Sequence, residues 1–197
     1  MRSHRPLLLA APALAAVLLL AGCVPTETTD PATGETTAPS PTASETSGAT
    51  PTPTKTAEPS TPVTITCEQL VPNDIMYAFD PNFSYQPDFT PAEGSLAAEA
   101  VANDGIACLW VHQTSGATIE LSAAHPPAEA LNDRMNDLVV SSNSVPTYGV
   151  EGYFQLNGTI GEAQAFPLPY WVTAVSPAFF EPGDPAPIIA AMVTALG

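Results

Sequence analysis

A Thr/Pro-rich segment over residues 24–62 limits which part of this chain can form a globular domain. It contains thirteen Thr, eight Pro and four Ser, and Val24 is its only aliphatic residue larger than Ala. Such a composition cannot bury enough apolar surface to offset conformational entropy, and its prolines favour extended backbone. We therefore predict a disordered tether that extends to residue 63, as a plain spacer or an O-glycosylated stalk, and a globular domain over residues 64–197.

The residues before the tether have the layout of an export signal. Two arginines precede an apolar run over residues 7–20, which is too short to span a bilayer comfortably. The run ends in Leu20-Ala21-Gly22-Cys23, which resembles the lipobox of bacterial lipoproteins. The resemblance implies that residues 1–22 are cleaved as a signal peptide and that Cys23 receives a diacylglyceryl group. The alternatives are an ordinary secretory signal with a chance Cys and an uncleaved anchor.

Two further cysteines, Cys67 and Cys108, lie in the predicted domain. Export to an oxidising compartment favours a structural disulfide between them. A redox-active pair is the functional alternative, but it would be expected to have CxxC spacing. A metal site would need two more ligands nearby. We predict a Cys67–Cys108 disulfide.

The hydrophobic pattern of residues 64–197 mixes helices with strands. We predict an α+β domain with an antiparallel sheet of about five strands and helices packed on one face, because most connections between strands are too short for parallel crossovers. Residues 79–89 show no period and are predicted to form a loop. The predicted strands cover residues 106–112, 118–123, 153–156, 161–166 and 170–175, and the main predicted helices cover 91–102, 127–139 and 187–196.

Two segments of the domain extend the resemblance to lipoproteins. Thr66-Cys67-Glu68-Gln69-Leu70 supplies an early Cys, and Gly105-Ile106-Ala107-Cys108-Leu109-Trp110 follows a predicted helix. With the lipobox and the tether, these segments are similar to actinobacterial surface lipoproteins, including mycobacterial lipoproteins of unknown function. The similarity covers the mature domain, although only the Cys and Trp neighbourhoods are motif-like. It implies attachment to the cell membrane on the extracytoplasmic side, and it implies no activity.

The charge of the domain excludes several classes of ligand. Residues 64–197 contain fifteen acids and one basic residue, Arg134. Nucleic acids and anionic lipid surfaces would be repelled, and a ligand phosphate or carboxylate would find almost no cation to bind. The sequence therefore favours a basic or cationic partner.

Sequence motifs indicate no catalytic site. No GxSxG, HExxH, Walker or GxGxxG pattern occurs, and the domain has only two histidines, His112 and His125. We therefore assign no catalytic residue and no cofactor.

One segment has calcium-loop spacing. Asp80, Asn82, Ser84 and Asp88 match positions 1, 3, 5 and 9 of such a loop. However, Tyr85 stands where the loop needs Gly, and ordinary turn formation explains Asp and Asn equally well. We therefore predict no metal and keep these four residues as a weak calcium candidate.

Three pairs of consecutive aromatic residues suggest a ligand-facing surface. In extended backbone, each pair places its side chains on opposite faces of the chain, so one member can be exposed. We take Tyr153, Tyr170 and Phe179 as the candidate ligand-facing aromatics, with a second core layer as the alternative.

These observations together predict a non-enzymatic, lipid-anchored surface domain that binds an envelope protein or glycan. The first alternative is an accessory or small solute-binding lipoprotein of a transport system. The second is a hydrolase with an unrecognised site.

Overall fold

The computed structural model describes residues 58–197, so the predicted signal peptide, Cys23 and most of the predicted tether lie outside the described residues. The described part contains five α-helices, seven strands and a short 3-10 turn. The helices are α1 (Cys67–Leu70), α2 (Asn73–Phe79), α3 (Leu96–Ala102), α4 (Ala128–Ser141) and α5 (Ala186–Leu196). The strands are β1 (Phe83–Gln86), β2 (Ile106–His112), β3 (Thr118–Ala124), β4 (Asn143–Ser144), β5 (Glu151–Asn157), β6 (Ile160–Phe166) and β7 (Trp171–Ser176).

The seven strands form one antiparallel sheet in the order β1-β2-β3-β7-β6-β5-β4. Strand β7 pairs with β3 on one side and with β6 on the other, and it therefore joins the β2–β3 hairpin to the β5–β6 hairpin. The predicted α+β class and antiparallel pairing are confirmed. The predicted number of about five strands is wrong, because the sheet has two more at its edges.

Both additional strands are too short to give a periodic signal. Strand β1 lies inside the stretch predicted as a loop, and Phe83 and Tyr85 both contact the main core from it. Four residues are too few for this alternation to distinguish a strand from a loop. Strand β4 has only two residues, and both are exposed.

Helices cover both faces of the sheet, so the prediction of helices on one face is wrong. Helices α1, α2 and α5 pack on the face that carries Trp110, Leu121 and Val172. Helices α3 and α4 pack on the opposite face, against Phe166 and Trp171. Strands β5 to β7 explain why helices cover both faces. Consecutive residues of these strands, which point to opposite faces of the sheet, are mostly apolar, as in sheets that are buried on two faces.

The predicted disulfide is confirmed. Cys67, the first residue of α1, is bonded to Cys108 in β2, with a Cα–Cα distance of 5.7 Å. A capping box starts α1, in which the Thr66 side chain accepts from the backbone N–H of Gln69 and the Gln69 side chain accepts from that of Thr66. The disulfide thus fixes a four-residue helix, too short to be stable alone, onto the sheet.

The last residues of the tether predicted from sequence contact the domain. The backbone N–H of Thr61 donates to the His125 carbonyl at 2.9 Å, and that of Val63 donates to the Asp104 carbonyl at 2.9 Å. The Val63 side chain is 8% exposed. Local composition could not predict these contacts, because each depends on a residue far away in the sequence.

Candidate functional site

A pocket of about 380 Å³ lies where four segments of the chain meet. We call it the Phe180 pocket. The end of α2, the start of β1, the β2–β3 turn and the loop after β7 each contribute to it. The lining residues are Phe79, Asp80, Phe83, His112, Ser115, Ala117, Pro177, Ala178 and Phe180.

Phe180 is the exposed aromatic residue of this pocket. Its relative exposure is 73%, whereas that of its neighbour Phe179 is 0%. The Asp184 carboxylate accepts hydrogen bonds from the backbone N–H groups of Phe180 at 2.7 Å and of Glu181 at 3.0 Å. The loop that presents Phe180 to solvent is therefore held by specific bonds.

Two further phenylalanines form the apolar wall. The ring centroids of Phe79 and Phe83 are 5.9 Å apart, and Phe79 also meets the buried ring of Phe179 edge-on at 5.9 Å. The Phe83 ring meets the His112 ring edge-on at 5.1 Å. These contacts join the pocket wall to the main core, which restricts how far either side chain can move.

Asp80 supplies the negative charge. Its Oδ1 accepts from the backbone N–H and the side-chain Nδ2 of Asn82, both at 2.8 Å, and its Oδ2 lies 3.4 Å from His112 Nε2. The backbone hydrogen bond from Asn82, followed by that from the Asn82 side chain, lowers the pKa of Asp80, and the nearby His112 contributes less. The Asp80 carboxylate is therefore ionised at neutral pH.

His112 lies between Asp80 and the β2–β3 turn. Its Nδ1 is 3.0 Å from Ser115 Oγ and 3.2 Å from Thr114 Oγ1, and it accepts from the backbone N–H of Ser115 at 3.2 Å. A backbone N–H can only donate, so Nδ1 is an acceptor and the proton of the neutral ring sits on Nε2, facing Asp80. The resulting order is Ser115–His112–Asp80, the residue types of a hydrolase triad with the two ring nitrogens exchanged.

The four calcium candidates do not share a common site geometry. The Asp80–Asn82 spacing is explained by the hydrogen bonds between them, since the backbone N–H and the side-chain amide of Asn82 both donate to the Asp80 carboxylate. Ser84 is exposed on β1, and Asp88 is exposed in the loop that follows. Among the described residues, no group of three or more His, Cys, Asp or Glu side chains could hold a metal ion.

Two of the three candidate ligand-facing aromatics, Phe179 and Tyr153, are buried, whereas Tyr170 is partly exposed. Phe179 is buried, because the chain turns inward there and exposes Phe180 instead. Tyr153 is buried beside Phe166, where desolvation, together with its hydrogen bond to Glu151, raises the pKa of Tyr153 to about 12. Tyr170 is half-buried, with its ring 5.2 Å from that of His125.

The domain's one basic residue, Arg134, lies on the face of the sheet that α3 and α4 cover, and its contacts are made within the domain. The Arg134 guanidinium lies 3.9 Å above the centre of the Trp171 ring and forms an ion pair with Glu99. The indole N–H of Trp171 donates to Gln164 Oε1 at 2.9 Å. Arg134 is therefore already paired within the domain.

Sequence reasoning missed Phe180, Asp80, His112 and Ser115 as a group. These residues lie on three segments of the chain, which only tertiary structure brings together. The sequence offered one indication of the site: His112, at the end of a predicted strand, shortly precedes the turn sequence Thr114-Ser115-Gly116. A His at such a position can bond to the turn, but its contact with Asp80 could not be read from spacing.

Comparison with protein-family models, with curated proteins and with solved structures finds no match to this chain. Within residues 58–197, no helix is both long enough and apolar enough to cross a membrane.

Proposed function

We propose that this chain is a lipid-anchored, extracytoplasmic binding protein whose domain contacts another envelope component through the Phe180 pocket. The observation that carries the proposal is the 73% exposure of Phe180 beside a cavity of about 380 Å³. Pockets lined mainly by apolar and aromatic side chains with a few polar groups are typical binding sites.

The exposure of Phe180 carries a free-energy cost that binding would recover. Burying a Phe side chain is worth about 1.5–3 kcal/mol. Two hydrogen bonds to Asp184 nevertheless hold the Phe180 loop in place. A preorganised aromatic side chain loses little conformational entropy on binding, which is why aromatic residues are frequent anchors at interfaces.

The anchor at Cys23 would keep the domain close to its partner. Two acyl chains are enough for stable attachment to a membrane, and the residues of the tether that follow Cys23 have the composition of a spacer. Confinement to a membrane raises the effective concentration of the domain, so a modest intrinsic affinity would suffice.

Site-specific photocrosslinking tests the binding proposal. Full-length protein with benzoylphenylalanine at position 180 should form a discrete crosslinked species in cells that produce the protein. The matched control carries the same residue at position 77, because Tyr77 is 69% exposed on α2 and does not line the pocket. Equal crosslinking at both positions, or none at position 180, would contradict the proposal.

A hydrolase is the second candidate function. The observation that favours it is the Ser115–His112–Asp80 arrangement, with distances of 3.0 and 3.4 Å between the reactive atoms. Against it, Ser115 lies in a tight turn, where its hydroxyl also accepts from the backbone N–H of Ala117 at 3.3 Å. Covalent labelling by a fluorophosphonate probe that is lost in Ser115→Ala would support the hydrolase. If the unaltered protein is not labelled, the hydrolase is contradicted and the Ser115 hydroxyl only stabilises the turn.

A further inference from the structure

The Phe180 pocket combines apolar walls with a single charged side chain. Phe79, Phe83 and Phe180 supply the apolar surface. The Asp80 side chain is one-third exposed (33%), and no Lys or Arg is found among the described residues that line the pocket. A ligand that fits must therefore satisfy an aromatic surface and a carboxylate together.

We propose that the pocket binds a lysine side chain presented by a basic partner protein. This inference rests on the proposed binding function and adds the chemistry of the ligand. The four-carbon stem of lysine would pack against the phenylalanine rings, and its ammonium group would donate to Asp80. Lysine suits such a site because its stem is apolar while its end is a compact cation.

The hydrogen bonds already made by Asp80 favour lysine over arginine. A carboxylate offers about four lone-pair positions. Two on Oδ1 are taken by Asn82, and His112 Nε2 faces one on Oδ2. One position remains, which suits the point donor of an ammonium group, whereas the guanidinium fork of arginine binds best when both oxygens are free.

The charge of the whole domain supports the same ligand. The domain has fifteen acids against Arg134, and Arg134 is paired with Glu99. The resulting negative field would increase the rate at which a basic partner arrives, and this increase would fall as salt is added. The aromatic rings add attraction for a cation that is close to them.

The test uses full-length protein in detergent with 4-fluorophenylalanine at position 180, observed by fluorine NMR. Titration with Nα-acetyl-lysine methylamide should give a saturable shift of this resonance. Asp80→Asn should weaken binding about tenfold or more, since a charged hydrogen bond is lost. The matched control is Asp74→Asn, because Asp74 is exposed at the start of α2 and outside the pocket.

Matched ligands keep the inference testable if Asp80→Asn fails to fold. On the unaltered protein, the Nζ-acetylated lysine derivative should give no saturable shift, and the arginine derivative should bind more weakly than lysine. Equal binding of lysine and its acetylated form would overturn the inference, as would Asp80→Asn binding as tightly as Asp74→Asn. If crosslinking from position 180 persists while the lysine probe fails, the ligand chemistry is wrong but the binding function stands.

Discussion

Gly161 offers a direct test of how the sheet positions the Phe180 pocket. This residue lies on β6 opposite Ser176 of β7, directly below the loop that carries Phe179 and Phe180. A Cβ atom added at Gly161 would lie 2.2 Å from the Phe179 carbonyl oxygen and 2.6 Å from the Phe179 Cβ. Real Cβ atoms essentially never approach other atoms this closely, so Gly161→Ala must move the loop.

The size of the effect follows from the geometry. The nearest atoms belong to the backbone and Cβ of Phe179, so no flexible side chain can yield. Ordinary contact begins at 3.4 Å, and the loop must therefore retreat by about 1 Å. Overpacking of this kind costs ~1–3 kcal/mol, and the lower unfolded-state entropy of Ala offsets ~0.4–1 kcal/mol. We expect a net destabilisation of about 1–2 kcal/mol.

Urea unfolding followed by tryptophan fluorescence measures this change, because Trp110 and Trp171 are both 1% exposed when folded. The midpoint should fall while the slope of free energy against urea stays constant. Gly183→Ala is the control, since an added Cβ there meets nothing closer than 3.8 Å in the same loop. The reasoning is refuted if Gly161→Ala is as stable as the unaltered protein, or if both variants lose equal stability.

Three further predictions concern other parts of the chain. Replacing Cys67 and Cys108 with Ser should cost about 4 kcal/mol in the loop-entropy description, measured by urea unfolding of the oxidised and doubly substituted proteins. Cys23→Ser should move the protein from the detergent phase to the aqueous phase in phase-separation assays; retention with the detergent would contradict lipidation. Desolvation raises the pKa of Glu120, so folding favours the neutral form of this carboxyl group. The contribution of Glu120 to the free energy of unfolding is therefore lost as pH rises through the folded-state pKa. Glu120→Gln should therefore be more stable than the unaltered protein at pH 7, with the difference shrinking on acidification; no such trend in Tm would contradict the assignment.

The two candidate functions of the pocket predict opposite roles for Ser115. In a hydrolase, Ser115→Ala abolishes labelling and turnover while lysine binding persists. In a binding domain, the same change affects only the β2–β3 turn, because the Ser115 hydroxyl bonds to His112 and accepts from Ala117. Phe180→Ala separates them further, since it should weaken binding without altering the distances among Ser115, His112 and Asp80.

Local sequence predicted the long elements of the fold well. The hairpins β2–β3 and β5–β6, strand β7 and helices α4 and α5 were placed to within about two residues. Helix α3 was predicted from residue 91 but begins at Leu96, with Ser95 rather than Thr90 as its N-cap. The short strands β1 and β4 were missed because pairing with long neighbours stabilises them. The second helical layer was missed because alternation identifies a buried face but does not say which element covers it.

The sequence by itself predicts how the chain is divided. A Thr/Pro-rich segment with few apolar residues, a lipobox-like sequence ending at Cys23 and an excess of acids are local or compositional properties that need no fold to be recognised. The disulfide was also predicted, since only two cysteines remain in the domain. Tertiary structure decided the candidate site, because Asp80, His112 and Phe180 come from three separate segments. It also decided which member of the Phe179-Phe180 pair is exposed, since this depends on how the loop passes over Gly161.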